Sequence, residues 1–266
     1  MANIFEKNKT YLGDCLELMP QMESGMFDMI LCDLPYGTTS LKWDAVIPFD
    51  KIWEQYERLI KPNGAIVLTA SQPFTSMLVM SNTKYFKYEL IWEKTMPTGV
   101  AHSSYMPMKY HENILVFYKS KPTFNKIMAE RSESGKVRAK TPIYGNSDKS
   151  NHVNMGKQPA KQYNPNLVNP KSVMKFNSVA NSNGKLHPTQ KPVPLFEYLI
   201  KTYTNEGELI LDNCAGSGTT AEACYNTGRN YIQIEKEQKY FDLILGREKS
   251  FNKKDLQQEL NYGTQM

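Results

Sequence analysis

Four consecutive residues, Asp33, Leu34, Pro35 and Tyr36, end an apolar run that begins at Phe27. An ionised carboxylate can only accept hydrogen bonds. The Leu34 carbonyl follows it, and Pro35 holds the residue before it in an extended conformation. Two acceptors therefore stand side by side, with the Tyr36 ring as a flat face next to them. A second group lies far along the chain: Asp212, Asn213, Cys214, Ala215, Gly216, Ser217, Gly218, Thr219 and Thr220, with Glu235 further on. A glycine turn that opens a helix lets backbone N–H groups approach a nucleotide-like ligand. Glu235 then stands where it can accept from ribose hydroxyls. The spacing also fits a dinucleotide fingerprint with an acid about 20 residues on. The turn alone thus leaves both a nicotinamide cofactor and S-adenosylmethionine open. A P-loop is excluded, because no Gly-Lys-Ser/Thr follows. Taken singly, Asp33 reads as a carboxylate capping a turn, and Tyr36 as a half-buried packing ring.

These groups need elements that bring them together. Residues 27–32 form a nearly continuous apolar strand, broken only by Asp28, as in a parallel strand covered on both faces. A short strand at Tyr11 turns at Gly13 into a helix with Asp14 near its N-cap. Helical spacing over residues 48–60 stops at Lys61-Pro62-Asn63-Gly64, and residues 65–70 form the next strand. Strand, helix and strand in succession give a βαβ unit and a parallel sheet. A helix is expected over 74–80, strands over 88–94 and 112–118, and a loop over 95–111. Further on, the pattern predicts a helix over 194–203, a strand ending at Asp212 and a helix closed by Gly228. A strand over 231–235 and a helix over 238–247 complete it. The expected fold is α/β: a Rossmann-like mixed, mostly parallel sheet with helices on both faces. Open sheets of this kind hold ligands at the carboxyl ends of their strands, where Asp33, Asp212 and Glu235 all fall.

Residues 119–185 show no periodicity, and a stretch of that length is a functional insertion or partly disordered. The chain thus divides into residues 1–118, a basic insertion over 119–185, and residues 186–266. Twelve lysines and two arginines against three acids give residues 119–191 a net charge of +11. The whole chain carries +5, so the remainder carries −6. A basic module in an acidic frame suits a polyanion partner, although a lysine-rich solvated loop has the same charge. The four cysteines, Cys15, Cys32, Cys214 and Cys224, lack CxxC spacing, which argues against a metal site and a disulfide framework. No apolar run suits a signal or a membrane span, so a cytoplasmic location without membrane contact is expected.

Taken together, the motifs resemble the amino-methyltransferases of DNA. Those enzymes carry an (Asp/Asn/Ser)-Pro-Pro-(Tyr/Phe) tetrad and an Asp-x-x-x-Gly-x-Gly donor turn. The tetrad first and the turn last resembles the β class. Gly13-Asp14-Cys15, Trp43-Asp44, Ile91-Trp92-Glu93-Lys94, His111-Glu112 and His187-Pro188-Thr189-Gln190-Lys191-Pro192 resemble further segments of it. About two thirds of the chain is covered, and residues 119–185 lie outside the likeness. Leu34 stands where the family usually has proline, but the role there belongs to the backbone carbonyl, which leucine also has.

The resemblance implies S-adenosyl-L-methionine as donor, bound by Asp14, Cys15, Asp33, Lys191, Asp212, Cys214, Ala215, Gly216, Ser217, Gly218, Thr219, Thr220 and Glu235. It implies catalysis by Asp33, Leu34, Pro35 and Tyr36 on an amino group of a base in double-stranded DNA. An acid at the first tetrad position leans toward adenine, and the same chemistry on cytosine N4 is the alternative. A target inside a duplex must be flipped out, and the basic insertion is the expected surface for phosphates and base edges. Restriction-modification and a homodimer are also implied, and no metal. The lack of a Pro-Cys dipeptide argues against methylation at cytosine carbon-5. The competing readings are a nicotinamide oxidoreductase and a nucleic-acid-binding module without catalysis. Phe74, Trp92 and Tyr105 read as core or loop packing rather than base platforms, and His102 and His111 either as DNA contacts or as satisfied surface histidines.

Overall fold

The computed structural model describes residues 4–39, 41, 44–140, 164, 166–179 and 190–263. Two compact units emerge, one formed by Met1–Asn125 with Ser172–Met266 and the other by Lys126–Lys171. The larger begins with strand β1 (Lys9–Leu12) and a one-turn helix α1 (Cys15–Leu18). Strand β2 (Phe27–Cys32), helix α2 (Phe49–Leu59), strand β3 (Ile60–Ala70) and helix α3 (Phe74–Ser81) follow. Strands β4 (Phe86–Thr98) and β5 (Lys109–Phe117) form a hairpin whose strands run well into the expected loop.

The smaller unit holds a strand pair, β6 (Ala129–Glu130) and β7 (Leu167–Val168), and helix α4 (Glu133–Lys140). The Arg131 guanidinium donates to the Leu167 carbonyl at 2.9 Å and ties its two ends together. Strand β8 (Val173–Phe176), in a stretch that shows no element by sequence, pairs in parallel with β4 in the larger unit. Helix α5 (Val193–Tyr203), strand β9 (Leu209–Asp212), helix α6 (Thr219–Thr227), strand β10 (Asn230–Glu235) and helix α7 (Gln238–Gly263) complete the chain. Helix α7 thus outruns the predicted end at 247.

Eight strands make one sheet in the order β1-β10-β9-β2-β3-β5-β4-β8. Only β5 runs against its neighbours, so the sheet is mixed and mostly parallel, as expected. The side-chain period of two sorts each strand between two apolar layers. Ile30, Ile66 and Leu68 face α2 and α3, where Tyr56, Leu59 and Phe74 are buried. Met29, Leu31 and Val67 face α5 and α6, packing on Leu199, Ile200 and Cys224. Each fully buried aliphatic chain contributes about 1.5–3 kcal/mol, which is why the central strands read as continuous apolar runs.

Two polar interruptions have local causes. Asp28 accepts from Lys61 at 2.7 Å and from the Leu209 backbone at 3.0 Å, joining the starts of β2, β3 and β9. The expected stop at Lys61-Pro62-Asn63-Gly64 instead lies inside β3. Pairing jumps there from Phe27–Ile60 to Met29–Ala65, because Pro62 has no N–H to give the ladder. A Cβ on Gly64 would lie 2.8 Å from the Asp28 carbonyl, so only glycine allows that approach. Among the described residues no helix is long and apolar enough to cross a membrane.

Candidate active site

Where the strand order reverses, β2 lies beside β9, paired through Met29–Ile210 and Ile30–Leu211. Their carboxyl ends carry Asp33 and Asp212, which line one cleft of about 790 Å³. Glu235 reaches it from β10 and Asp14 from the end of β1. The two sequence groups are thus halves of one site, and Lys191, 158 residues from Asp33, meets it there.

Asp33 is densely held. Its Oδ1 accepts from the Tyr36 hydroxyl at 2.6 Å and from the Thr69 hydroxyl, and its Oδ2 accepts from Lys191 Nζ at 2.7 Å. Burial raises the Tyr36 phenol far above its usual range, helped by the charge on Asp33, so it stays a donor. Its ring stacks on buried Phe74, with centroids 5.2 Å apart at 28°. Leu34 is buried in the core and lines the cleft with Pro35. Just beyond, one carboxylate organises the loop. Asp44 Oδ1 accepts from Tyr36 and Gly37 N–H at 2.7 and 2.9 Å, and Oδ2 from Thr38 and Thr39 N–H at 2.9 and 2.7 Å. Burial alone would raise the Asp44 carboxyl, but these donors and the Thr39 hydroxyl outweigh it and hold it low.

The sequence marks Lys191 for the donor. The structure puts its ammonium on Asp33, 3.3 Å from Glu112 Oε2 and 5.4 Å from the Tyr36 ring centroid. Glu112 Oε1 in turn takes Lys94 Nζ at 3.2 Å. Lys94 and Lys191 are each only 5 % exposed. Burial opposes the charge on Lys191, yet Asp33 and Glu112 more than compensate and hold it protonated. Burial likewise opposes ionised Glu112, and the two lysines reverse the effect. Gln190 and Lys191 are described, whereas His187, Pro188 and Thr189 lie outside the described residues, as does Trp43.

On the other side, Cys15, Cys214, Ala215, Gly216, Ser217 and Thr219 line the cleft. Gly218 and Thr220 do not. Gly218 caps α6 at φ 73°, and a Cβ there would meet Ile244 at 3.1 Å. Fully buried Thr220 gives its hydroxyl to Asp212 Oδ2 at 2.5 Å, while Cys214 N–H reaches Oδ1 at 3.1 Å. Burial pushes the Asp212 carboxyl up to about 7 despite these bonds. Glu235 is drawn into the turn, accepting from Gly216 N–H at 2.7 Å and Glu237 N–H at 2.8 Å. Asp14 caps α1 through Leu16 N–H and pairs with Lys236, both at 2.9 Å. Arg247 on α7 braces the turn from behind through the Ser217 carbonyl and Glu222. Thr69, Glu112, Lys94 and Arg247 are missing from the sequence reading as site residues. Asp44 is the one with a local signal, an acid ending the loop after the tetrad.

A doubly covered sheet whose order reverses between an acid-ended strand and a glycine turn defines a Rossmann-like fold. Solved structures agree. The M1.HpyAVI–SAM complex is 25 % identical with a TM-score of 0.60, covering 90 % of this chain and 98 % of that one. The PvuII DNA methyltransferase (cytosine-N4-specific) shares the fold at a TM-score of 0.63 and 15 % identity, covering 94 % and 91 %. Among curated proteins, type II methyltransferase M.HpaI of Haemophilus parainfluenzae is 29 % identical over 88 % of this chain and 72 % of its own length. Type II methyltransferase M2.DpnII of Streptococcus pneumoniae is 28 % identical, covering 91 % of each. A DNA methylase family model for N6 and N4 amino-methylation matches residues 27–246, and the chain belongs to that family. Its methyl donor is S-adenosylmethionine.

Proposed function

We propose that the chain methylates the N6 amino group of adenine in double-stranded DNA, with the target base turned out of the helix into the cleft. The carrying observation is that Asp33 and the Asp212–Gly218 turn end adjacent strands and share one cleft. S-adenosylmethionine, when bound, supplies a methyl group made electrophilic by a positively charged sulfur. The residues present suit it: Asp14, Asp212 and Glu235 bring acids to a cationic, hydroxyl-bearing ligand, and α6 opens without a side-chain cap. Its leading N–H groups complement a carboxylate. Cys15 and Leu16 offer apolar contact on the same wall.

Asp33 and the Leu34 carbonyl act on the other reactant. An exocyclic amino group is a poor nucleophile because its lone pair is delocalised into the ring. Acceptors on both of its hydrogens draw the nitrogen toward a tetrahedral shape and free that pair. Asp33, paired with Lys191 at 2.7 Å, also stands ready to accept the proton that the amino group loses. Holding the nitrogen in a reactive position contributes much of the acceleration. The adenine assignment rests on the acid at the first tetrad position. Residues 119–185, including the compact unit Lys126–Lys171, are proposed to read DNA through phosphates and base edges. The test is transfer of a tritiated methyl group to unmethylated DNA, followed by nucleoside analysis. N6-methyladenine is expected, and N4-methylcytosine would move the assignment to the other base. Asp33→Ala should bind donor normally and transfer no methyl; full transfer by that variant would refute the reading.

A further inference from the structure

Building on the reading of Asp33 as the acceptor for the amino group, we propose that Lys191 is a two-position cation and Glu112 its receiving, positioning residue. In the structure the ammonium covers Asp33 Oδ2. On arrival of the amino group it moves to Glu112 Oε2 and opens that lone pair.

Three observations carry this. The first is crowding at Asp33. Oδ1 already takes two hydroxyl donors, and Oδ2 takes Lys191 at 2.7 Å. A substrate N–H approaching Oδ2 from the cleft meets the ammonium, which already holds one of that oxygen's two acceptor positions. The second is an incomplete contact. Glu112 Oε2 is buried, and Lys191 Nζ stands 3.3 Å away in an ion pair that does not reach hydrogen-bond geometry. The ammonium thus already lies between the two carboxylates, bonded to one and only paired with the other. Closing that gap to the ~2.8 Å of a charge-assisted bond needs a shift of about 0.5 Å. The third is charge order. Asp33, Lys191, Glu112 and Lys94 alternate in sign, and the last is tied to Thr98 at 3.2 Å. Moving Lys191 within this chain changes which carboxylate it favours without burying net charge. Its backbone stays anchored, with the carbonyl accepting from the Thr219 hydroxyl at 3.3 Å and Pro192 capping α5. The device keeps Asp33 paired until the target replaces the lysine.

The test is a double-mutant cycle on the full chain, with tritiated S-adenosylmethionine and unmethylated plasmid DNA under single-turnover conditions. Glu112→Gln should keep donor affinity by calorimetry within about twofold and slow transfer by about 10- to 100-fold, the scale of a charged hydrogen bond. In a Lys191→Met background the same change should cost less than about twofold, because no cation is left to receive. Equal cost in both backgrounds makes Glu112 merely a partner of Lys94 and overturns the proposal, as does full-rate Glu112→Gln. Transfer in Lys191→Met is expected to be slowed but measurable, because Asp33 loses its ion pair, and the cycle is read from the ratio of the two single-turnover rates. Lys191→Gln serves if the Met variant does not fold. Failure of the underlying reading looks different: wild type would label no DNA, or Asp33→Ala would label it fully.

Discussion

Asp212 is the residue whose charge state is most open to experiment. Burial raises its carboxyl to about 7, although the Thr220 hydroxyl and Cys214 N–H pull the other way. A raised acid is proton-bound in the folded chain while ionised in the unfolded one, so its contribution to stability falls as pH rises toward about 7. A cationic donor reverses the preference, because it favours the ionised form. Donor affinity should therefore rise as pH passes through about 7, with release of close to one proton. Asp212→Asn should flatten that dependence; calorimetry in buffers of different ionisation enthalpy measures both. At this scale the sequence reveals residue types better than partnerships. Asp33, Tyr36, Asp212 and Glu235 stand out by their motifs. The partnership of Lys191 with Asp33 does not, because it spans 158 residues. Thr69 reads as an ordinary strand residue, and Glu112 only as part of a family-like segment without a role, until the sheet sets them at the same edge.

Between residues and fold lies the loop after β2, fixed by Asp44. Its four N–H bonds hold residues 36–39 from one end while buried Leu34 anchors the other. Leucine at the usual proline position therefore need not loosen the turn. In Asp44→Asn the amide NH2 meets two of those donors and cannot accept from them. The N–H groups left without an acceptor belong to half-buried or exposed residues, so each loss costs about 1 kcal/mol, the net worth of one hydrogen bond. The variant should melt several degrees lower by calorimetry and transfer methyl groups more than about tenfold more slowly. Adding Leu34→Pro should restore part of the rate, and no recovery would assign the stiffness elsewhere. The major elements were legible because their periods are long and clean. Strands β6, β7 and β8, of two to four residues, are too short for a pattern to register. The β4–β5 hairpin reaches past its apolar core because residues 95–111 mix methionine, tyrosine and histidine without alternation. Tyr105, 68 % exposed, belongs to that tip, where its ring packs beside His102 with centroids 5.5 Å apart, as loop packing.

For the molecule as a whole, charge and topology each have a consequence. The +11 of residues 119–191 against −6 elsewhere makes DNA affinity a matter of counterion release. The logarithm of affinity should fall linearly with the logarithm of salt. Removing three lysines among Lys126, Lys136, Lys171 and Lys175 should flatten that slope by up to about 3, while donor affinity stays unchanged. An unchanged slope would put the phosphate contacts elsewhere. The pairing of Ile30 with Leu211 acts on a different clock. A ribosome that has just made β2 must add about 180 further residues before its partner β9 exists, a closure worth roughly 4–5 kcal/mol in chain entropy. Throughout that interval one edge of a strand with five of its six residues destined for burial has no neighbour. The cleft is thus a late event in the life of each chain, and the nascent N-terminal half carries the aggregation hazard of an open, apolar strand edge.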